Sequence, residues 1–235
     1  MPIALIDADT PVFAAAITAE GEPEWVATSR LDRSIAMLLS NITSDTGGTK
    51  DYKLYVSGGV NFRSIVDPQY KANRGASPEH REACKQHLIK QWGAIETDGY
   101  EADDAVGCEQ TDDTIIVGID KDLLQIEGKH YSWAIRRLGV VARPAVFQEV
   151  SYLEGLRKVF TQALVGDISD NIKGIYKIGP KKAIPILAEC TDEKEMYDIV
   201  RALYNDDERF HNNMDLLWIW RNYGMTYTAR REYNG

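Results

Sequence analysis

Carboxylates at close spacing are the first chemical feature of this 235-residue chain. "EADD" sets Glu101, Asp103 and Asp104 within four positions. "DAD" sets Asp7 beside Asp9, "DKD" sets Asp120 beside Asp122, and "GDISDN" adds Asp167 and Asp170. Like charges this close repel, and a helix N-terminus offsets only about 0.3–1 kcal/mol per carboxylate. A divalent cation offsets more. Several carboxylates with no His or Cys among them select a hard ion, Mg²⁺ or Mn²⁺, over zinc. A single Asp at a strand end is more often a cap or turn residue. Three clusters expected on one edge point instead to a polycarboxylate metal site. Asp-x-Asp after a strand also fits a phosphatase with an aspartate nucleophile, and that alternative stays open here.

The elements that must position these acids are short apolar runs. "IALI" (3–6) ends in Asp7 and "TIIVGI" (114–119) ends in Asp120; both read as buried strands. "YKLYVS" (52–57) is a further strand, halted by Gly58 and Gly59. "PVFAAAITA" (11–19), "SRLDRSIAMLLSNI" (29–42) and "SPEHREACKQHLIKQWG" (77–93) read as helices, the last capped by Ser77 and stopped by Gly93. "HYSWAI" and "LGVVA" predict a hairpin around Arg136 and Arg137. From Val150 the pattern is helical, through "YLEGLRKVFTQALVG", "KKAIPILAEC", "DEKEMYDIVRALYND" and "NNMDLLWIWRNYG". The expected architecture is an α/β core with a central, mostly parallel sheet flanked by helices over 1–150, and a helical part over 151–235. Parallel sheets bind ligands at the carboxyl ends of their strands. The two Asp pairs are therefore expected on one edge. "EADDAVG" would open a helix there, with Ala105, Val106 and Cys108 facing the core.

Net charge is −9, from 36 acids against 27 bases, which argues weakly against a nucleic-acid partner. Placement of charge matters more, since a metal site built from acids lowers the total by itself. Cys84, Cys108 and Cys190 show no metal spacing and suit a reducing cytosol. "MPIALIDAD" lacks the basic and apolar regions of a signal peptide, and no run approaches the roughly 20 apolar residues of a membrane span. A soluble, cytoplasmic protein with no membrane partner is expected.

"GDISDNIKGIYKIGPKKA" (166–183) changes the class of partner. Gly174 and Gly179 allow close backbone approach, Pro180 opens a helix whose amides face an anion, and Lys181 and Lys182 add charge. Such a loop between helices grips a duplex backbone without reading bases. The plainer alternative is an inter-helix turn with solvated lysines. With "LIDAD", "FRSIVDPQYKANR", "EADDAVG" and "GIDKDLLQI", this segment resembles, in order over residues 3–183, the successive blocks of the structure-specific 5′ nuclease superfamily. That superfamily comprises flap endonucleases and 5′→3′ exonucleases. "VNFRSIVDPQYKANR" (60–74) is especially similar to the short phage exonucleases of the T-odd type.

The resemblance implies a PIN-like 5′-nuclease core followed by a helix–three-turn–helix at about 160–190. It implies hydrolysis of DNA at 5′ ends, nicks, gaps or flaps by two Mg²⁺ or Mn²⁺ ions, in phage or bacterial replication and repair. Asp7, Glu101, Asp103, Asp104, Asp120, Asp122, Asp167 and Asp170 match the metal acids. Lys71 and Arg74 match the basic residues that reach the scissile phosphate. Arg63, Tyr70, Lys173, Gly174, Lys177, Gly179, Lys181 and Lys182 are expected at the DNA. The duplex-binding loop often carries a potassium ion in the family. A monomer acting on double-stranded DNA is expected, with RNA–DNA hybrid as a further substrate. Asp9 has no counterpart and is expected to be structural.

Two departures are visible. The family's acid at the end of the second strand is missing, because "YVSGG" places Ser57, Gly58 and Gly59 there. A catalytically weak DNA-binding relative is therefore the alternative reading. Residues 75–100 hold one helix where larger relatives build an arch from two, so a reduced or open arch is expected. A toxin-type RNase or a phosphatase would lack "KGIYKIGPKKA".

Overall fold

Two buried faces along the first strand set the architecture. A computed structural model of the chain describes residues 2–137 and 140–234. In β1 (Ile3–Asp7), Ala4 and Ile6 face one layer of helices and Leu5 faces the other, as the two-residue period of a strand requires. β1 lies between β2 (Tyr52–Val56) and β4 (Thr114–Val117), parallel to both. β3 (Ile95–Glu96) pairs parallel with β2, and β5 (Gly128–Ser132) parallel with β4. β8 (Val146–Val150) closes the order β3-β2-β1-β4-β5-β8 antiparallel to β5. β6 (Ile135–Arg137) and β7 (Val140–Arg143) form a hairpin, but Arg136 and Arg137 lie in its first strand instead of at its turn, and residues 130–132 of "HYSWAI" belong to β5. The hairpin's connecting residues 138–139 lie outside the described residues.

On the Ala4/Ile6 face sit α1 (Asp9–Thr18), α2 (Glu24–Asp45) and α4 (Arg81–Trp92), which bury Val12, Ala16, Leu31, Ile35, Cys84 and Leu88 together. α4 starts three residues later than Ser77 suggests, with His80 at its N-cap, and stops as expected at Gly93 in the left-handed conformation. On the Leu5 face lie α5 (Ala102–Glu109) and a 3₁₀ turn (Lys121–Gln125), joined by Ile219 from far along the chain. α3 (Phe62–Val66) is one short helix capped by Asn61.

The helical part comprises α6 (Tyr152–Val165), α7 (Pro180–Leu187), α8 (Glu193–Tyr204), α9 (Asp207–Leu217) and α10 (Tyr227–Asn234). Between α6 and α7 runs a small hairpin, β9 (Gly166–Asp167) with β10 (Ile172–Lys173). "WIWR", expected to continue a helix, does not. Residues 218–220 leave α9 and run into the core, burying Trp218, Ile219 and Trp220. No helix among the described residues is long and apolar enough to cross a membrane.

Candidate active site

The carboxyl ends of β1 and β4 and the N-terminus of α5 bring the acids to one sheet edge. They border a cleft of about 970 Å³ lined by Asp7, Asp9, Glu101, Asp103 and Asp120, and by the cations Lys71, Arg74 and Arg81. Asp7 is only 9% exposed. Burial, then the nearby charges of Asp9, Asp120 and Glu101, pushes its carboxyl up to about 8. Burial, with Asp104 next, also holds Asp103 well above the ordinary range, and Asp103 Oδ1 is buried with no hydrogen-bond partner. Burial acts against Glu101 too, but Lys71 and Arg63 outweigh it and hold that carboxyl low.

A second acid group adjoins the first. Asp122 accepts from Gln162 Nε2 at 2.7 Å, and Lys121 Nζ lies 3.1 Å from Asp167 Oδ2 and 3.5 Å from Asp122. Asp120 accepts from the Asp122 amide at 2.9 Å, which fixes the 3₁₀ turn and turns both acids to the edge. Burial, then Asp120, raises the Asp122 carboxyl. The hydrogen bonds of Ser169 and the charge of Lys121 overcome burial at Asp167 and lower it. Asp170 bridges the two sides: Arg74 Nη2 reaches its Oδ1 at 2.7 Å, and Tyr70 donates to its Oδ2 at 3.1 Å.

Lys71 and Arg74 come from an irregular stretch, residues 67–74. Lys71 has φ +57°, a left-handed conformation costly for a side chain with a Cβ. Its amide donates to Asp170 O at 3.0 Å, and its ammonium bonds Glu101 and lies 3.9 Å from Asp170. The strained turn thus places one cation between two acid-bearing segments. Among the described residues no helix covers this stretch; α4, which follows it before α5, packs on α1 and α2 instead.

An all-oxygen donor set suits a hard divalent ion. The unpartnered Asp103 oxygen and the raised Asp7 carboxyl both mark negative charge in excess of the cations beside them. Among the described residues no three such side chains form a ready-made cage. Lysines stand against Glu101, Asp122 and Asp167, so a metal ion would displace an ammonium rather than enter a finished site.

Three sequence expectations need correction. Asp104 does not face the cleft. It is fully buried and makes a two-pronged pair with Arg63, at 2.6 and 2.8 Å, while accepting from the amides of Glu101 and Trp220, both at 3.0 Å. With its acceptor sites filled by the protein, it cannot also serve a metal. Arg63 cannot reach DNA: it is 2% exposed, and its remaining hydrogens go to Leu216 O and Trp218 O, each at 2.9 Å, and to Glu101 Oε2 at 3.3 Å. Tyr70 is buried as well: its hydroxyl donates to Glu101 Oε2 at 2.8 Å and so orients an acid, while the residue lines the cleft. Lys173, Lys177, Lys181 and Lys182 are exposed on the β9–β10 hairpin, the following loop and the first turn of α7, with Gly179 as its N-cap. Gly174 has a packing reason of its own, since a Cβ there would strike the backbone at the end of α6.

Sequence reasoning missed Lys121, Gln162 and Arg81. Lys121 stands between the acids of "DKD", and Gln162 interrupts the apolar face of α6; both signals are faint. Arg81 opens α4, where the helix dipole disfavours a cation, a hint that it serves the cleft rather than its helix.

A central parallel sheet with acids along its carboxyl edge and a helix–loop–helix beyond it defines a 5′-nuclease-type fold. The structural comparisons agree. A phage T5 protein co-crystallised with metal ions aligns at TM-score 0.63 with 17% identity, covering 92% of this chain and 88% of that one. The catalytic core of Rad2 in complex with DNA substrate aligns at 0.51 with 18% identity, covering 84% and 64%. In sequence, the 5′-3′ exonuclease of Buchnera aphidicola subsp. Schizaphis graminum is 29% identical over 161 residues, 64% of this chain and 56% of that protein. DNA polymerase I of Streptococcus pneumoniae is 30% identical over 182 residues, 71% of this chain and 21% of the polymerase. No family model matches. The chain is thus a homologue of proteins named 5′-3′ exonuclease and DNA polymerase I, and it shares the fold of the T5 protein. It spans about half the length of the curated exonuclease it matches.

Proposed function

We propose that this chain is a divalent-metal-dependent 5′→3′ exonuclease that hydrolyses DNA from 5′ ends, nicks or gaps. One observation carries the reading: a single cleft sets a row of partly uncompensated carboxylates against Lys71, Arg74 and Arg81, beside a hairpin–loop–helix segment that exposes Lys173, Lys177, Lys181 and Lys182. Asp7, Glu101, Asp103 and Asp120 are the residues suited to hold one ion. Asp120, Asp122, Asp167 and Asp170 are suited to a second. Mg²⁺ or Mn²⁺ bound there would activate water and stabilise a leaving oxygen. Lys71 and Arg74, exchanging Glu101 and Asp170 for the phosphate, would offset charge on its oxygens. Lys173, Lys177, Lys181 and Lys182, with the amides around Gly174 and Gly179, would grip duplex phosphates without regard to sequence, weakening as salt rises. A potassium ion in that loop belongs to the same reading, as do action on RNA–DNA hybrid, a monomeric state and a cytoplasmic place of work.

The test is release of nucleotide from 5′-labelled duplex with Mg²⁺, run beside Asp120→Ala. The variant is expected to lose release, and equal cleavage by the two proteins would sink the site assignment. Because no helix among the described residues roofs residues 67–74, a nicked duplex is expected to be cut faster than a long single-stranded flap. Faster cleavage of the flap would overturn that expectation. A second reading, a DNA-binding relative with little activity, is favoured by the absence of an acid at Ser57 and Gly58. It predicts duplex binding without Mg²⁺-dependent release.

A further inference from the structure

β1 and β4 bring acids to the cleft, whereas β2, lying beside β1, is followed by Ser57 and Gly58. Gly58 has no room for any side chain, because a Cβ there would collide with the backbone oxygen of Thr97. Ser57 is already engaged: its Oγ accepts from Ala102 N at 2.9 Å and steadies the first turn of α5. The position above the end of β2 is filled from another element. Asp9, the first residue of α1, sends Oδ1 across to accept from Ser57 N at 3.1 Å.

An acid at a helix start ordinarily serves its own helix amides. Asp9 does not, since the N-cap is Ala8 and no side chain caps α1. Among the described residues the bond from Ser57 is the only one its carboxylate makes, and Asp9 lines the cleft with Asp7 and Asp103. Two neighbouring carboxylates are therefore held at one edge, one by a backbone amide of β2 and the other by the amide of Asp9 itself, at 3.0 Å. Neither has an ion-pair partner among the described residues.

We infer that Asp9 is a metal-binding carboxylate: with Asp7 it holds a divalent cation at the sheet edge, reaching over β2 from the start of α1 in place of an acid on β2 itself. The inference rests on the proposed function only in taking this cleft to bind divalent metal. Its test is Mn²⁺ binding by the chain without DNA. Binding is followed by loss of the free-ion EPR signal, and thermal unfolding is recorded with and without metal, for wild type, Asp9→Asn and Asp120→Ala. Asn keeps an acceptor for Ser57 N and removes only the charge. Asp9→Asn should unfold, metal-free, at the wild-type temperature or above it. It should bind Mn²⁺ more weakly by about 10-fold or more, the scale on which supporting residues tune metal sites. Wild-type affinity in Asp9→Asn beside weakened binding in Asp120→Ala would overturn the role of Asp9 alone. Undiminished binding in both variants, or none in wild type, would remove the metal site itself. A metal-free unfolding temperature well below wild type would make Asp9 a structural residue and overturn the inference as well.

Discussion

Asp103→Asn will lower Mg²⁺-dependent cleavage of 5′-ended duplex by about a hundred- to thousandfold, the range seen when one preorganised electrostatic group is lost from a reacting centre. Its unfolding temperature without metal will equal or exceed that of wild type. Both expectations have one cause. Burial and the neighbouring Asp104 disfavour charge on Asp103, and its Oδ1 has no partner in the protein. A residue that the fold would be easier without must be compensated by something that binds. Asn matches Asp in size and removes the charge, so the protein relaxes while the cation site is weakened. Steady-state cleavage rates and metal-free melting curves check the two halves. Full activity, or a large fall in melting temperature, would contradict the assignment.

Asp104→Ala, one position along, should do the reverse. It leaves the Arg63 guanidinium buried without its two-pronged partner and strips an acceptor from the amides of Glu101 and Trp220. Removing one member of a buried pair costs about 3–5 kcal/mol. In a chain of this size each kcal/mol lowers the melting temperature by about 2–4 °C. Urea unfolding at fixed pH measures the loss directly. Unchanged stability with selective loss of metal binding would return Asp104 to the role that the "EADD" pattern first suggests. Adjacent carboxylates thus carry opposite expectations, and the difference lies in what each side chain touches.

That difference marks how far the chain could be read from its residues. The edge was legible: "IALI" and "TIIVGI" are too apolar for anything but buried strands, and each delivers an Asp at its carboxyl end. The identity of the third acid cluster was legible too, because Glu101, Asp103 and Asp104 open a helix with small residues behind them. The division of labour within that cluster was not. It depends on Arg63, forty-one positions from Asp104, and on residues 218–220 leaving their helix, which an apolar run such as "LLWIW" cannot announce. Gly107 has its reason in the same place: a Cβ there would strike Trp220 O, so the small residue admits this segment rather than the sheet. The surroundings of Asp9 were hidden for a like reason, since its bond to Ser57 joins the start of α1 to the end of β2, which only the parallel register of β1 and β2 brings together.

The insertion of residues 216–220 also governs when the molecule can be assembled. Arg63 bonds Trp218 O across 155 positions of chain, and Ile219 completes a cluster begun by Leu5. Contacts so distant in sequence form late and slow the final closure. During synthesis every proposed metal acid leaves the ribosome well before the segment that locks Asp104 and Arg63 beneath them. A chain stopped short of residue 216 would possess all the acids and yet leave the base of α5 unsealed. The floor of the proposed site is thereby closed only once residues 216–220 have been made.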